Sequence, residues 1–402
     1  MKIRQEFSIF VLQNSALAVN LATQFLLTIF LPLNIFGVFA KVFVVRDIIV
    51  ALLSFSLGMS VIFNKASDKE VLVATSFYLS LIQAFIIIFF GVLIGFVLLA
   101  TGYFNNDELL IFLFLIGTSL FTVFYNVFFS LFERDERFVF NSLLSLAISV
   151  VASGLVILFA VYFKNIVPLL VREFASLFFL SGVYFFLIVK NFGVKVFRWE
   201  NVRKDVMKEV ASYSFKMYFS RLAEAFYFRL DLLVVSRLFN TEVIGLYERT
   251  RYFATLPWTT IISYINRVHF VKYVKSYSER LFKRTNYYAV LLNFFLFILL
   301  LAILFGLSEF SNEQVWQPIL VLSPFFGGYA IGAFVENYKT LFYAQGKVIY
   351  AMVTLRIVPI ILFLLFSVLF YFFFSINVYW IALLSSGTYI SSVIIMKLNP
   401  RG

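Results

Sequence analysis

"NIFGVFAKVFVVRDIIVALLSFSLGMSVI", residues 34–62, runs the length of a membrane span with only three charges in it, Lys41, Arg46 and Asp47. A helix needs about 20 apolar residues to cross roughly 30 Å of hydrocarbon, so the run reads as a transmembrane helix that carries its charges inside the bilayer. The whole chain has the same character: of 402 residues 62% are hydrophobic, 20% are aromatic and only 13% are charged. A water-soluble domain of this length displays far more charge, whereas helices that are apolar all round dissolve in lipid. With no Cys and a single His, His269, the chain has no material for disulfides, thiolate catalysis or a histidine metal cage. No cofactor is expected.

Outward from that run, apolar stretches of similar length recur, separated by short polar breaks. Twelve spans are expected, at 7–31, 36–62, 72–100, 109–131, 139–163, 167–189, 212–238, 242–267, 286–307, 315–343, 348–373 and 377–397. The first has a basic start but is too long for a signal peptide and lacks a small-residue cleavage site, so it counts as a span. The fold class is therefore an all-α integral membrane protein. About 12 transmembrane helices form two pseudo-symmetric six-helix bundles, 1–200 and 201–402.

Lys and Arg set the orientation. One set of connections holds 21 of the 33 basic residues, while the other ("TGYFNNDE", "FKNIV", "FNT", "LSEFSNEQ", "SINVY") holds only Lys164. The parity holds across all twelve spans, which predicts a cytoplasmic (inner) membrane protein with both termini cytoplasmic. Most of the +12 charge is thus topological, and no nucleic-acid surface is expected. Two longer inward stretches remain, 190–211 and 268–285. The first mixes basic and apolar residues at helical spacing and predicts an amphipathic helix on the membrane lipid headgroups.

The halves also resemble each other. "NIFGVFAKVF" (34–43) aligns with "EVIGLYERTR" (242–251) at a shift of 208, pairing Gly37 with Gly245, Phe39 with Tyr247 and Lys41 with Arg249. "SLFERDERFVF" (130–140) aligns with "TLFYAQGKVIY" (340–350) at 210, pairing Phe132 with Phe342 and Arg137 with Lys347. Six helices per repeat keep both copies in one orientation, related by an axis along the membrane normal, and transporters of that design bind substrate between the halves.

Eleven bases lie within or at the edges of spans: Lys41, Arg46, Arg172, Lys216, Arg221, Arg229, Arg237, Arg249, Arg251, Lys339 and Arg356. Each costs about 2.5–3.5 kcal/mol at a helix centre on insertion scales. Lys216, Arg237 and Lys339 are near span ends, where long side chains reach water. Arg46 and Arg221 are not, lying about 15 Å and about 14 Å along their helices. Arg221, Glu224 and Asp231 fall within about 80° of arc on one helix face. Pairing with neighbouring acids is the ordinary explanation for any one of these bases. It fails for the set, because the spans hold only seven carboxylates: Asp47, Glu173, Glu224, Asp231, Glu242, Glu248 and Glu336. An excess of positive charge calls for a wet cavity or an anionic ligand. Substrate-binding candidates are Lys41, Arg46, Arg172, Arg221, Arg229, Arg249, Arg251 and Arg356. Asp47, Glu224, Asp231, Glu248 and Glu336 are candidates for ion pairing or coupling. Pro257, Pro318, Pro324 and Pro359 mark places where helices loosen, and "PFFGGYAIGAF" (324–334) reads as close helix packing rather than a phosphate loop.

The stretch "FRLDLLVVSRLFNTEVIGLYERTRYFATLP" (228–257) resembles the helix seven to helix eight signature of bacterial polysaccharide exporters, the Wzx-type flippases of the multidrug/oligosaccharidyl-lipid/polysaccharide (MOP) superfamily. It shares Arg-x-Asp, a short turn, Gly-aliphatic-Tyr and a proline. "LPLNIFGVFAKVFVVRDIIVALLSFSLGMSVI" is similar to the first-half counterpart, and "SLFERDERFVF" to the helix four to five connection. The resemblance implies a V-shaped pair of bundles that moves a lipid-pyrophosphate-linked oligosaccharide, O-antigen among them, from the inner to the outer leaflet. Arg229, Asp231, Gly245, Tyr247 and Arg249 occupy the matching positions, and two arginines with a glutamate in "YERTR" are more charge than the pattern has. Arg46, Arg221, Arg229 and Arg249 are expected to neutralise phosphate charge, and Glu224 or Asp231 to carry H+ or Na+ as coupling ion. Contact with a polysaccharide polymerase is the protein partnership expected. The chain reads as a non-enzyme. The alternatives are a cation-coupled multidrug exporter of the same superfamily, a lipid II flippase, and a membrane glycosyltransferase or polymerase.

Overall fold

The computed structural model describes residues 3–63, 68–135, 137–264, 278–310, 315–373 and 377–398, and among these every regular element is helical. In order they are α1 (Ile3–Phe30), α2 (Leu33–Leu53), α3 (Leu57–Phe63), α4 (Lys69–Ala100), α5 (Asn106–Gly117), α6 (Ser119–Arg134), α7 (Phe138–Tyr162), α8 (Val167–Phe192), α9 (Lys204–Leu238), α10 (Thr241–Tyr264), α11 (Glu279–Phe310), α12 (Trp316–Leu322), α13 (Gly332–Ala344), α14 (Val348–Met352), α15 (Val358–Phe373) and α16 (Val378–Leu398). Each expected span is met by one helix or a broken pair: 36–62 by α2 and α3, and 109–131 by α5 and α6. The stretch 315–343 consists of α12, the 3₁₀ segment Ser323–Ile331 and α13, and 348–373 of α14, the π turn Val353–Ile357 and α15.

Among the described residues, eight helical stretches are long and apolar enough to cross a membrane. The chain is a multi-pass membrane protein. α1, α2, α9 and α10 fall below that mark, and the last three of these hold most of the internal charge.

Local chemistry sets the ends. Asp68 caps α4 by accepting from the backbone N–H groups of Glu70 and Val71. Asn105 and Glu108 cap α5 reciprocally, each side chain accepting from the other's backbone N–H. Pro324, unable to donate a backbone hydrogen bond, stands at the start of the nine-residue 3₁₀ run. So long a 3₁₀ segment is uncommon. Close packing holds it: a Cβ on Gly328 would lie 2.1 Å from the Ser386 carbonyl oxygen of α16, and one on Gly332 3.3 Å from the Trp258 ring.

The repeat expected from the sequence appears in the turns. α6 ends at Arg134 and α13 at Ala344, and α7 begins at Phe138 and α14 at Val348, both 210 apart. Arg137 (φ −81°, ψ 42°) and Lys347 (φ −84°, ψ 46°) share one backbone conformation. Their N–H groups make the equivalent bond, to Phe132 O at 3.0 Å and Phe342 O at 2.8 Å.

The chain divides into two compact units, residues 1–24 with 42–225 and residues 25–41 with 226–402, so α1, α2 and α9 each contribute to both. In the first unit, Leu57, Val61, Leu72, Val127, Phe128, Tyr184 and Ile188 form a buried core. The inward stretch 190–211 departs from the amphipathic helix expected. Gly193 at φ +76° ends α8, two short 3₁₀ turns (Val194–Phe197 and Trp199–Asn201) follow, and α9 starts at Lys204. Those turns dock on α4, with Phe197 against Phe77 at 4.6 Å and Tyr78 donating to the Phe197 carbonyl at 2.8 Å. Packing of two aromatic side chains overrides the helical spacing. Of the second inward stretch, 268–277 lies outside the described residues.

Candidate functional site

In the first unit the charges sit on α2, α8 and α9. Arg46 is 7% exposed and reaches Asp47 at 2.9 Å and the Thr122 hydroxyl at 3.5 Å. Half-buried Arg172 pairs with its neighbour Glu173 at 2.7 Å. Arg221 is half-buried, and the charge it feels is that of Glu224, three residues on along the same helix.

The second unit gathers two clusters. In one, Asp231 of α9 is 4% exposed; its Oδ2 accepts from Tyr247 (2.8 Å) and Ser385 (2.7 Å) and forms an ion pair with Arg251, 2.8 Å from Nε. Tyr329 and Ser385 share a hydrogen bond of 3.1 Å. Arg251 also donates to the Phe228 carbonyl and lies 3.8 Å from Glu248. A cavity of about 10 Å³ opens beside Tyr227, Asp231, Ser385 and Thr388, which is room for a single water.

In the other cluster Glu336 of α13 is held between Arg356 and Lys339, the latter at 2.6 Å. Arg356, fully buried on the π turn, lies over the rings of Tyr227 (4.5 Å) and Phe228 (5.3 Å). Arg249 is 2% exposed, with its guanidinium 4.1 Å over the Phe36 ring and 5.4 Å from that of Tyr252. Lys41 and Arg229 are half-buried.

The structure thus gives Arg46, Arg172, Arg251 and Arg356 each a carboxylate partner. Lys339, expected from its place near a span end to reach out to water, is instead 9% exposed and turned onto Glu336. The i, i+3 spacing of the two was the available signal. Exposed Arg237 suits the span-end reading, and the side chain of Lys216 lies outside what is described. Sequence reasoning singled out Tyr247 as a position of the family signature without its bond to Asp231, and missed Ser385 and Tyr329 around Asp231 and Tyr227 beneath Arg356. Hydroxyls on an apolar face carry no signature of their own until the facing helix is known.

This architecture is shared by solved transporters. An inward-facing structure of a multidrug resistance MATE family transporter of the MOP superfamily matches over 100% of this chain and 98% of its own, with a TM-score of 0.71 and 14% identity. An outward-facing one matches over 98% and 94%, with a TM-score of 0.63 and 14% identity. A MOP-superfamily transporter from Pyrococcus furiosus, described as having a binding pocket of reversed polarity, matches over 99% and 94% with a TM-score of 0.60 and 14% identity. The fold is the one these transporters share. No curated protein matches the chain. The chain belongs to the polysaccharide biosynthesis protein family, whose model matches residues 26–315.

Proposed function

We propose that the protein is a flippase, carrying an anionic polyprenyl-pyrophosphate-linked oligosaccharide from the inner to the outer leaflet of the cytoplasmic membrane by alternating access. Family membership supports polysaccharide assembly as the setting, and the fold shared with these transporters supports transport. The observation that carries the anionic cargo is the charge count: eleven bases against seven carboxylates in the spans, with Glu336 alone compensating two of the bases. Guanidinium groups suit a diphosphate because each donates two hydrogen bonds and stays charged when desolvated.

Exposure ranks the candidates. Arg46, Arg251 and Arg356 are buried against carboxylates, whereas Arg221, Arg229 and Lys41 are half-buried and accessible to a ligand. The same reasoning ranks the coupling acids. Both oxygens of Glu336 and the Oδ2 of Asp231 are occupied by internal donors, so half-buried Glu224 and Glu248 are the better carriers of H+ or Na+.

The multidrug exporter is the second reading, since two of the structures with this fold are multidrug resistance transporters. A cationic drug disfavours a basic lining, which weighs against it. Deletion of the gene separates the two. Loss of surface glycan with inner-leaflet accumulation of the lipid-linked oligosaccharide supports the flippase; unchanged glycan with raised drug sensitivity contradicts it.

A further inference from the structure

The stretch between α8 and α9 is folded onto the first unit. Val196 is 1% exposed and joins Val206, Val210 and the partly buried Phe197 in that unit's core. The Asn201 amide donates to the carbonyls of Lys195 at 2.9 Å and Val196 at 3.1 Å, which ties the two 3₁₀ turns together. With that side turned inward, Val194 and Trp199 are left 70% and 62% exposed. The Trp199 ring meets that of Tyr78 edge-on at 4.9 Å. Lys190, Lys195, Arg198, Lys204 and Lys208 are all exposed, and among the described residues none of the five pairs with a carboxylate. Arg203 is committed to Asp205, and Glu200 and Glu209 are the acids of the stretch that remain.

α4 sets the depth of this surface. Its residues 79–100 extend about 33 Å, close to the thickness of the hydrocarbon. Tyr78 therefore stands at one boundary of the hydrocarbon, where aromatic side chains collect, and by the loop charges that boundary belongs to the inner leaflet. Ile82, Phe85 and Phe89 continue the Tyr78 face at helical spacing and are 50%, 69% and 50% exposed, a stripe open to lipid. Trp199 thus caps the headgroup end of a track suited to acyl chains.

We propose that this surface holds an anionic phospholipid of the inner leaflet, with its phosphate at Lys195 and Arg198, its glycerol level against Trp199 and its acyl chains along Ile82, Phe85 and Phe89. Topology alone accounts for basic residues in an inward connection. It does not account for a tryptophan that a folded turn holds out of the core at the depth where indole rings anchor. A zwitterionic lipid would leave the surplus cations without counter-charge, whereas the anionic lipids of the cytoplasmic leaflet supply it. The site lies in the first unit alone and is independent of what the protein carries.

Because the chain has no cysteine, Val194→Cys carries a single fluorophore at the site. The labelled full chain is reconstituted in phosphatidylcholine nanodiscs with an equal small fraction of nitroxide-bearing phosphatidylglycerol or nitroxide-bearing phosphatidylcholine, and quenching is compared. The phosphatidylglycerol should be enriched at the fluorophore by about fivefold or more, the preference that one basic residue near charged lipid confers. Lys195→Gln/Arg198→Gln should bring the ratio close to one. Trp199→Ala removes no charge and should still lower the ratio by about twofold or more, whereas diffuse charge without a site would leave it at the parent value. Lys164→Gln, on the outward side, should change nothing. A ratio near one for the labelled parent chain overturns the proposal, as does a Trp199→Ala protein that keeps the parent's ratio. Loss of the enrichment when inorganic phosphate replaces chloride at equal ionic strength also overturns it, since the site would then take a soluble anion.

Discussion

Asp231 shows how a charge is kept inside an apolar bundle: two hydroxyl donors and the Arg251 guanidinium converge on one oxygen, and the backbone N–H of Leu232 donates to the other at 2.7 Å. Asp231→Asn leaves buried Arg251 with only the carboxylate of Glu248, 3.8 Å away, and should cost about 3 kcal/mol. Tyr247→Phe removes one of several donors and should cost about 1 kcal/mol. Thermal unfolding of the purified protein measures both, and Asp231→Asn combined with Arg251→Gln should cost less than the sum of the single variants. Glu336→Gln removes the carboxylate that Arg356 and Lys339 share and should destabilise more than Lys339→Met, which leaves the Arg356–Glu336 pair in place. Outside the membrane, the Arg203 guanidinium hydrogen-bonds to Asp205 and holds its carboxyl below the usual range. A lowered carboxylate pKa stabilises above the unfolded-state value and loses that contribution as pH falls through the folded one. Since the pair is fully exposed, its loss in acid should barely move the unfolding temperature. The basic excess in the spans was legible in the sequence. The pairings were not, because helical spacing shows which residues share a face and not which face of another helix they meet.

At the scale of elements, close contacts separate glycines that neighbour each other in sequence. Gly328→Ala would drive a methyl into the Ser386 backbone and pry the 3₁₀ segment from α16, whereas Gly327→Ala meets nothing within 4 Å. The first should cost about 1–3 kcal/mol or more, and the second should be within about 1 kcal/mol of the parent; unfolding midpoints of the two variants make the comparison. Span positions were readable because twenty apolar residues in a row have few other uses. Breaks within spans, such as α2 to α3 and α5 to α6, were hidden by that same uniform hydrophobicity. The inward linker misled because Phe197 and Trp199, interspersed with its basic residues, pack in short 3₁₀ turns on Phe77 and Tyr78 of α4.

For the whole molecule, duplication was visible in two short alignments, and the equal turns at Arg137 and Lys347 give it a structural basis. The central claim is that the excess of basic residues over carboxylates in the helices serves an anionic head group. Arg46 is a poor probe of that claim, since its guanidinium is already paired with Asp47 at 2.9 Å. Arg221 and Arg229, both half-buried on α9, are better. The most direct measurement is surface glycan produced by the Arg221→Gln/Arg229→Gln protein, at matched expression and unfolding temperature, in a strain lacking the native gene. The account predicts a loss of about tenfold or more, as two charge-assisted hydrogen-bond partners of a phosphate disappear, with lipid-linked oligosaccharide accumulating on the inner leaflet. Export equal to that of the parent chain would contradict it.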